Sequence, residues 1–226
     1  MKIPQNIKLA VDAVVFGFQN NQLYVLLIKQ NFGSENTLWA LPGGLVKETE
    51  TLQEAVYREL KEETNVDIKF LEQLYTFGDD IHRDFRNRVV SVAYFALVEN
   101  SKMKLKAATD ALDAQWIEID KIPKLAFDHN EILKVAHDRL KNKLTYQPIG
   151  FDLLPKEFLF SELENLYCTI LGKEIDRRNF RKKILSFGII EETNLISKIT
   201  KGRPAKLYKF NTLKYNELTN NGFLFA

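Results

Sequence analysis

Apolar and polar positions divide the chain into two stretches of different character. Over roughly the first 120 residues the pattern predicts mainly strands. Ile7–Phe18 and Leu23–Gln30 are apolar, rich in β-branched residues, and joined by the polar turn Gln19-Asn20-Asn21, the signature of a hairpin. Trp39–Gly44 is a short apolar run ending in turn residues, and Val66–Phe77, Val89–Val98 and Gln115–Ile119 supply further strands. Helical spacing interrupts at Thr51–Thr64 and at Asn130–Leu140, the second opened by Asp128 and Glu131 as a start signal. Mixed strands with few helices predict an α+β sandwich.

Between Leu140 and Pro155 the pattern lapses into a polar, proline-containing stretch with Gly150. A domain boundary is expected there, giving domains over residues 1–148 and 149–226. Beyond it, Ser161 and Glu164 form a capping box for a helix to about Leu171. Gly172-Lys173-Glu174 turns the chain, and Asp176 caps a second helix through Phe187, stopped by Gly188. Phe180, Ile184, Leu185 and Phe187 are its inward stripe. Ile189–Glu191 and Ala205–Phe210 read as strands around a basic loop. Helix, turn, helix, hairpin is the order of a winged helix-turn-helix.

Composition narrows the class. Of 226 residues, 45% are hydrophobic and 27% charged, as in ordinary globular chains. The longest apolar run, Val89–Val98, is about half of a membrane span. The start, Met1-Lys2-Ile3-Pro4-Gln5, lacks a secretory pattern, and Cys168 alone cannot build an internal disulfide. A cytoplasmic protein with no membrane partner is expected. The net charge of +2 is uneven: residues 151–226 carry 13 Lys+Arg against 9 Asp+Glu, the rest 19 against 21. Arg177–Lys209 holds ten basic residues and only Glu191 and Glu192 as acids, which suits a polyanion partner.

The segment Gly43–Asp67 carries the most chemistry. Glu59, Glu62 and Glu63 stand at i, i+3 and i+4, on one side of one helix. Such crowding costs stability unless a cation offsets it, and Mg²⁺ or Mn²⁺ suits oxygen donors best. Pro42-Gly43-Gly44 is a loop where backbone can approach a phosphate, and Glu50 is placed to pair with Arg58 and lock loop to helix. Glutamates alone are as consistent with a solvated helix face. The spacing Gly44, Glu50, Arg58, Glu59, Leu60, Glu62, Glu63, Val66, however, resembles the Nudix box. Asn65 stands where that family has glycine, and asparagine is the next-best residue for a left-handed cap.

The resemblance implies a Nudix α/β/α sandwich with a metal-dependent pyrophosphate site: Glu59, Glu62 and Glu63 on the cation, Arg58 orienting them, Gly43, Gly44 and Glu50 in the loop. Tyr75–Tyr94 and Leu125–His129 are similar to ADP-ribose-pyrophosphatase-like Nudix domains that carry a DNA-binding tail. Asp79–Arg88 is crowded with both charge signs and reads equally as a ligand rim or as a solvated loop; Asp80, His82, Arg83, Arg88 and His129 are the rim candidates. Asp128 is expected to cap its helix and His137 to lie at the surface.

On the basic helix, Arg177, Arg178, Asn179, Arg181 and Lys182 are candidates for DNA contact, with Lys201 and Arg203 at the hairpin tip. A solvated basic helix is the alternative, which a basic helix together with a basic wing outweighs. Gly172–Lys183 followed by Gly202-Arg203-Pro204-Ala205 resembles the C-terminal domain of Nudix-related transcriptional regulators. That resemblance implies a homodimer on double-stranded operator DNA, with the Nudix domain sensing a small molecule in NAD or pentose metabolism. Family precedent leans slightly towards a pentose such as L-arabinose over ADP-ribose. The alternative is a Mg²⁺-dependent Nudix hydrolase of a nucleoside diphosphate derivative such as ADP-ribose.

Overall fold

Along β1 (Lys8–Gln19), residues Val11, Ala13 and Val15 alternate with Val14 and Phe16, and all are buried. A strand covered on both faces has to lie inside a layered sheet. The computed structural model, which describes residues 6–31, 37–68, 70–99, 113–197 and 204–222, places it there. The other strands of this sheet are β2 (Gln22–Asn31), β3 (Thr37–Ala40), β4 (Gly43–Leu45), β5 (Phe70–Phe77), β6 (Val89–Val98) and β7 (Asp113–Glu118). The order is β3-β2-β1-β6-β5, with β4 added to β1 and β7 to β2. β1 and β6 run parallel, from Lys8 opposite Val89 to Gly17 opposite Val98. Asn20 and Asn21 both take positive φ (52° and 60°), as a two-residue hairpin turn requires.

One face of the sheet packs against α1 (Leu52–Thr64): Val11, Ala13 and Val15 cluster with Val92, Tyr94 and Ala96 of β6 and with Ala55, Val56 and Leu60 of the helix. From the other face Phe16 meets His137 of α2 (His129–Tyr146), ring centroids 6.4 Å apart. The result is the expected α/β/α sandwich, with His137 half-buried rather than at the surface.

Several boundaries differ from expectation. The Gly43-Gly44 loop is strand β4, antiparallel to β1 with Gly43 opposite Asp12. Strand β5 begins at Phe70, because Asn65 ends α1 in the left-handed region (φ 57°) and Val66 turns back into the core. Helix α2 continues past Leu140 to Tyr146; Leu140 and Leu144, at i and i+4, are both buried, and Pro148 lies just beyond the helix end.

The chain divides into two units, Met1–Gly17 with Leu23–Arg139, and Phe18–Gln22 with Leu140–Ala226. The division falls within α2 at Arg139/Leu140, whereas the boundary expected at 148/149 follows the helix end. The second unit contains β8 (Glu157–Leu159), α3 (Phe160–Leu171), α4 (Arg177–Ser186), β9 (Ile190–Ser197), β10 (Ala205–Phe210) and α5 (Thr212–Asn220). The three strands pair antiparallel in the order β8-β10-β9. This is a winged helix. Gly172 ends α3 at φ 65°, and Asp176 caps α4 by accepting the Asn179 N–H at 3.0 Å. Phe160 packs edge-on to Tyr208 and Tyr167 packs on Phe180, at 5.6 and 4.7 Å.

The Ser161–Glu164 capping box does not form. Pairing of β8 with β10 buries Phe158 and Phe160 and starts α3 earlier, so that Glu162 accepts the Leu159 N–H instead. Leu185, expected inside, is 41% exposed. Strand β8 and helix α5 were not among the expected elements; Asn211 caps α5 by accepting the Lys214 N–H at 2.9 Å. No helix of the described residues is long and apolar enough to cross a membrane.

Candidate functional site

Arg58 is the hub of the acidic helix. Its Nε and Nη2 donate to the two oxygens of Glu50 at 2.8 and 2.6 Å, and Nη1 donates to Glu59 at 2.7 Å and Glu62 at 3.2 Å. The remaining Nη2 contact is the Leu45 carbonyl, at 3.2 Å. Glu50 also accepts the Lys47 N–H at 2.8 Å. The Arg58 hydrogen bonds hold its carboxyl down at about 2. The expected Glu50–Arg58 lock is therefore present, and it ties the segment after β4 to α1.

The two glycines of β4 are required by contact. A Cβ on Gly43 would lie 2.2 Å from the Val11 carbonyl oxygen, and one on Gly44 would lie 2.3 Å from Glu59 Oε1. The Gly43 N–H donates to Glu63 Oε2 at 2.9 Å, and Gln30 donates to the other oxygen of Glu63. Burial pushes the Glu63 carboxyl up to about 8 against these two donors, and burial also raises that of Glu59 despite Arg58.

Glu59 and Glu63 line a cavity of about 580 Å³, and Glu62, with its side chain 50% exposed, does not. Among the described residues no group of three His, Cys, Asp or Glu is placed to hold a metal ion, so the expected triad is not gathered. Glu59 and Glu62 are drawn to Arg58, and Glu63 to Gln30 and Gly43. In donor chemistry the three carboxylates still suit Mg²⁺ or Mn²⁺: hard oxygen ligands crowded on one helix face, two with their charge disfavoured by burial.

The cavity floor is a polar network around β1. Asp12 accepts the Ser91 hydroxyl at 2.6 Å and Arg83 Nη2 at 3.4 Å. Arg83, its side chain 4% exposed, also grips both oxygens of Asp128, at 2.8 and 2.6 Å. His129 Nδ1 accepts the Leu41 N–H at 2.9 Å, which leaves the ring proton on Nε2, 3.4 Å from Asp12. Burial opposes ionisation of Asp12, but His129, Ser91 and Arg83 together hold it at about 2. Asp84 binds Arg86 through both carboxylate oxygens, at 3.0 and 2.8 Å.

Of the rim candidates, Arg83 and His129 line the cavity; Asp80, His82 and Arg88 do not. Asp80 accepts the His82 N–H at 2.8 Å and Arg88 donates to the Gly78 carbonyl at 2.9 Å, so these shape the loop. Asp128 spends its carboxylate on Arg83 rather than as a helix cap. Asp12 and Gln30, which line the cavity, were in no candidate segment; Asp84 and Arg86 of the rim loop and Phe127 of the 125–129 stretch line it too but were not singled out. Asp12 had a readable signal: one acid inside an otherwise apolar strand.

On α4, Arg177 donates to Glu164 at 3.1 Å and to Asn165 at 3.2 Å. The Asn179 amide donates to the capping Asp176 at 2.7 Å. Arg181 donates to the Tyr208 hydroxyl at 2.7 Å and sits 4.3 Å from the Phe160 ring centroid. These three support the winged helix from within. Arg178 and Lys182, exposed and at i and i+4 on one helix face, carry no such contact among the described residues. Lys201 and Arg203 lie outside the described residues.

Residues 7–136 match the NUDIX domain and residues 150–210 the NrtR DNA-binding winged helix domain. The chain is 36% identical to the ADPR responsive transcriptional repressor NtrR of Acinetobacter baylyi, over 92% of this chain and 84% of that one. It superimposes on Shewanella oneidensis NrtR complexed with a 27mer DNA with a TM-score of 0.78 at 32% identity, covering 92% and 95% of the two chains. The NUDIX domain of the same Shewanella protein complexed with ADP ribose aligns with a TM-score of 0.55 at 37% identity, over 60% and 90%. Matching in both modules and along nearly its whole length, the chain belongs to the NrtR family, in which a Nudix domain is joined to a DNA-binding winged helix.

Proposed function

We propose that this protein is an ADP-ribose-responsive transcriptional repressor that binds double-stranded operator DNA as a homodimer. The observation that carries the reading is the cavity of about 580 Å³, lined by Glu59 and Glu63 together with Lys8, Lys47, Arg83 and Arg86. A pyrophosphate-bridged nucleotide brings two anionic phosphates for the basic residues, or for a cation held on the carboxylates. L-Arabinose, towards which family precedent leaned, is small and neutral; it would offer no anion to Lys8 and Lys47 and leave much of the space empty. What the Acinetobacter and Shewanella relatives respond to and bind supports the same choice.

In this reading Arg178 and Lys182 present the DNA-contacting face of α4 in each protomer. Two half-sites about one turn apart demand a fixed separation of recognition helices. ADP-ribose then releases the operator by favouring a different separation, and bound operator weakens ADP-ribose by the same factor. Fluorescence anisotropy on genomic duplexes at two salt concentrations, with ADP-ribose or L-arabinose added, tests this. Specific binding released by ADP-ribose alone is expected. Sequence-blind binding that fades with salt and ignores both ligands would overturn it.

A second reading, Mg²⁺-dependent hydrolysis of ADP-ribose, is supported by the largely intact box, with Glu59 and Glu63 on the cavity wall. Release of AMP that requires the cation and vanishes in Glu59→Gln and Glu62→Gln would establish it; the two activities are compatible in one chain.

A further inference from the structure

The inward stripe of α4 closes on a gap rather than on solid core. Phe180 and Ile184 of the helix, with Phe187 at its end, line a hollow of about 170 Å³ together with Leu144 of α2, Leu171 of α3 and Ile175. All of its lining belongs to the second unit. Folded interiors keep few voids larger than a water molecule, whereas an apolar cavity of about 150 Å³ is enough to hold one benzene ring. The hollow has room for a ring and none for a nucleotide.

Tyr167 is the polar exception in this apolar wall. Its ring packs on Phe180 at 4.7 Å and the residue is 5% exposed, yet its hydroxyl has no hydrogen-bond partner among the described residues. Among those residues only the Trp116 indole nitrogen is both sealed from solvent and unpaired, so the Tyr167 hydroxyl is open to space, and the space its residue lines is the hollow. Phenylalanine would fill the same place without stranding a hydroxyl. Burial pushes the phenol pKa up, so the group stays a hydrogen-bond donor at any physiological pH.

The rest of the lining says what the acceptor is. Among the described residues around the hollow Lys183 alone is charged; it is exposed and makes no ion pair within the described chain. The Gln147 side-chain amide donates to the Tyr215 hydroxyl of α5, which fixes that side of the wall. An ammonium and a hydroxyl, with no acid beside them, call for an anionic acceptor, and the two phenyl rings call for an aromatic body. We propose that the hollow under α4 is a second ligand site, which takes a small aromatic carboxylate: the ring between Phe180 and Phe187, the carboxylate on the Tyr167 hydroxyl and Lys183. Such a ligand is wedged between the basic helix and the end of α2, independently of what the Nudix cavity binds.

Benzoate is the simplest probe of that class. It is titrated into the full chain carrying labelled isoleucine methyl groups, with the Ile175 and Ile184 signals reporting occupancy. Saturable shifts at both, with a dissociation constant of about 0.01–1 mM, are expected. Tyr167→Phe, which keeps the ring on Phe180, should weaken binding about 10- to 100-fold, and Lys183→Gln about 3- to 5-fold. Benzyl alcohol, similar in shape and uncharged, should bind at least about tenfold more weakly than benzoate. Ile175→Phe puts a ring of the chain's own into the hollow; it is expected to abolish the Ile184 shift and to melt no lower than wild type. Absence of shifts at about 20 mM benzoate overturns the site. So does binding that neither Tyr167→Phe nor Lys183→Gln weakens, which would reduce the hollow to an apolar gap. Methyl shifts that appear on concentrating the protein and exclude benzoate would give the hollow to a second copy of the chain, and would overturn it equally.

Discussion

Arg83 and Asp128, 45 positions apart in the chain, are joined by two hydrogen bonds that use both oxygens of the carboxylate. The pair fastens the Asp79–Arg88 loop to the start of α2, and the same guanidinium reaches Asp12 on β1. Removing it strands the Asp128 carboxylate and leaves buried Asp12 with only Ser91 and His129. Arg83→Ala is expected to lower unfolding free energy by about 3–5 kcal/mol. Arg83→Lys should recover only part, since an ammonium cannot make the two-pronged contact. Urea denaturation of the two variants decides it; equal stability of Arg83→Ala and wild type would remove the pair from the account of the cavity floor.

The two glycines of β4 predict opposite phenotypes. Gly43→Ala drives a methyl into the Val11 backbone, which cannot yield without breaking the β1–β4 pairing, so a loss of folded protein is expected. Gly44→Ala meets only the end of the Glu59 side chain, which can swing away. That variant should melt close to wild type while binding Mn²⁺ at least tenfold more weakly, read by calorimetry.

Two buried acids give the metal-free protein a pH profile with opposite signs. Glu63 sits at about 8 against an ordinary 4.5, so the folded chain retains a proton that the unfolded chain has lost. Its contribution to stability falls as pH rises from about 4.5 to about 8. Asp12 sits at about 2 against 3.8, so its contribution is present above pH 3.8 and lost as pH falls through about 2. Thermal melts across this range should show Glu63→Gln flattening the decline between about pH 4.5 and about 8, and Asp12→Asn softening the loss below pH 3.8. An unchanged slope between about pH 4.5 and about 8 in Glu63→Gln would assign it to another group.

On α4, neighbouring arginines separate structure from recognition. Arg177→Ala leaves Glu164, whose side chain is 10% exposed, without its cation, and should cost about 1–3 kcal/mol. Arg178→Ala should leave stability unchanged and abolish the preference for specific over random duplex. Lys182→Ala should weaken both duplexes alike and lower the salt dependence by about one phosphate contact. Anisotropy titrations at several salt concentrations, paired with melts, read all three; a specific duplex still preferred by Arg178→Ala would move recognition elsewhere.

What the sequence determined by itself is whatever local spacing encodes. The i, i+3, i+4 glutamates, the Glu50–Arg58 interval, the Asn65 cap and the helix-turn-helix order around Gly172 and Asp176 all follow from positions a few residues apart, because helix geometry converts such spacing directly into neighbours. The cavity was legible only in half. The hairpin that carries Asp12 and Gln30 was legible, but Arg83 and Phe127 are brought to it by the parallel pairing of β1 with β6 and the docking of the residue 125–126 segment on β3, neither of which leaves a periodic trace. Tertiary structure also decided which charges are available. Arg177, Asn179 and Arg181 look interchangeable with Arg178 along the chain, yet Glu164, Asp176 and Tyr208 claim them. The physical reason is the same in both cases: a side chain's partner is set by which surfaces meet, and composition and period do not specify that.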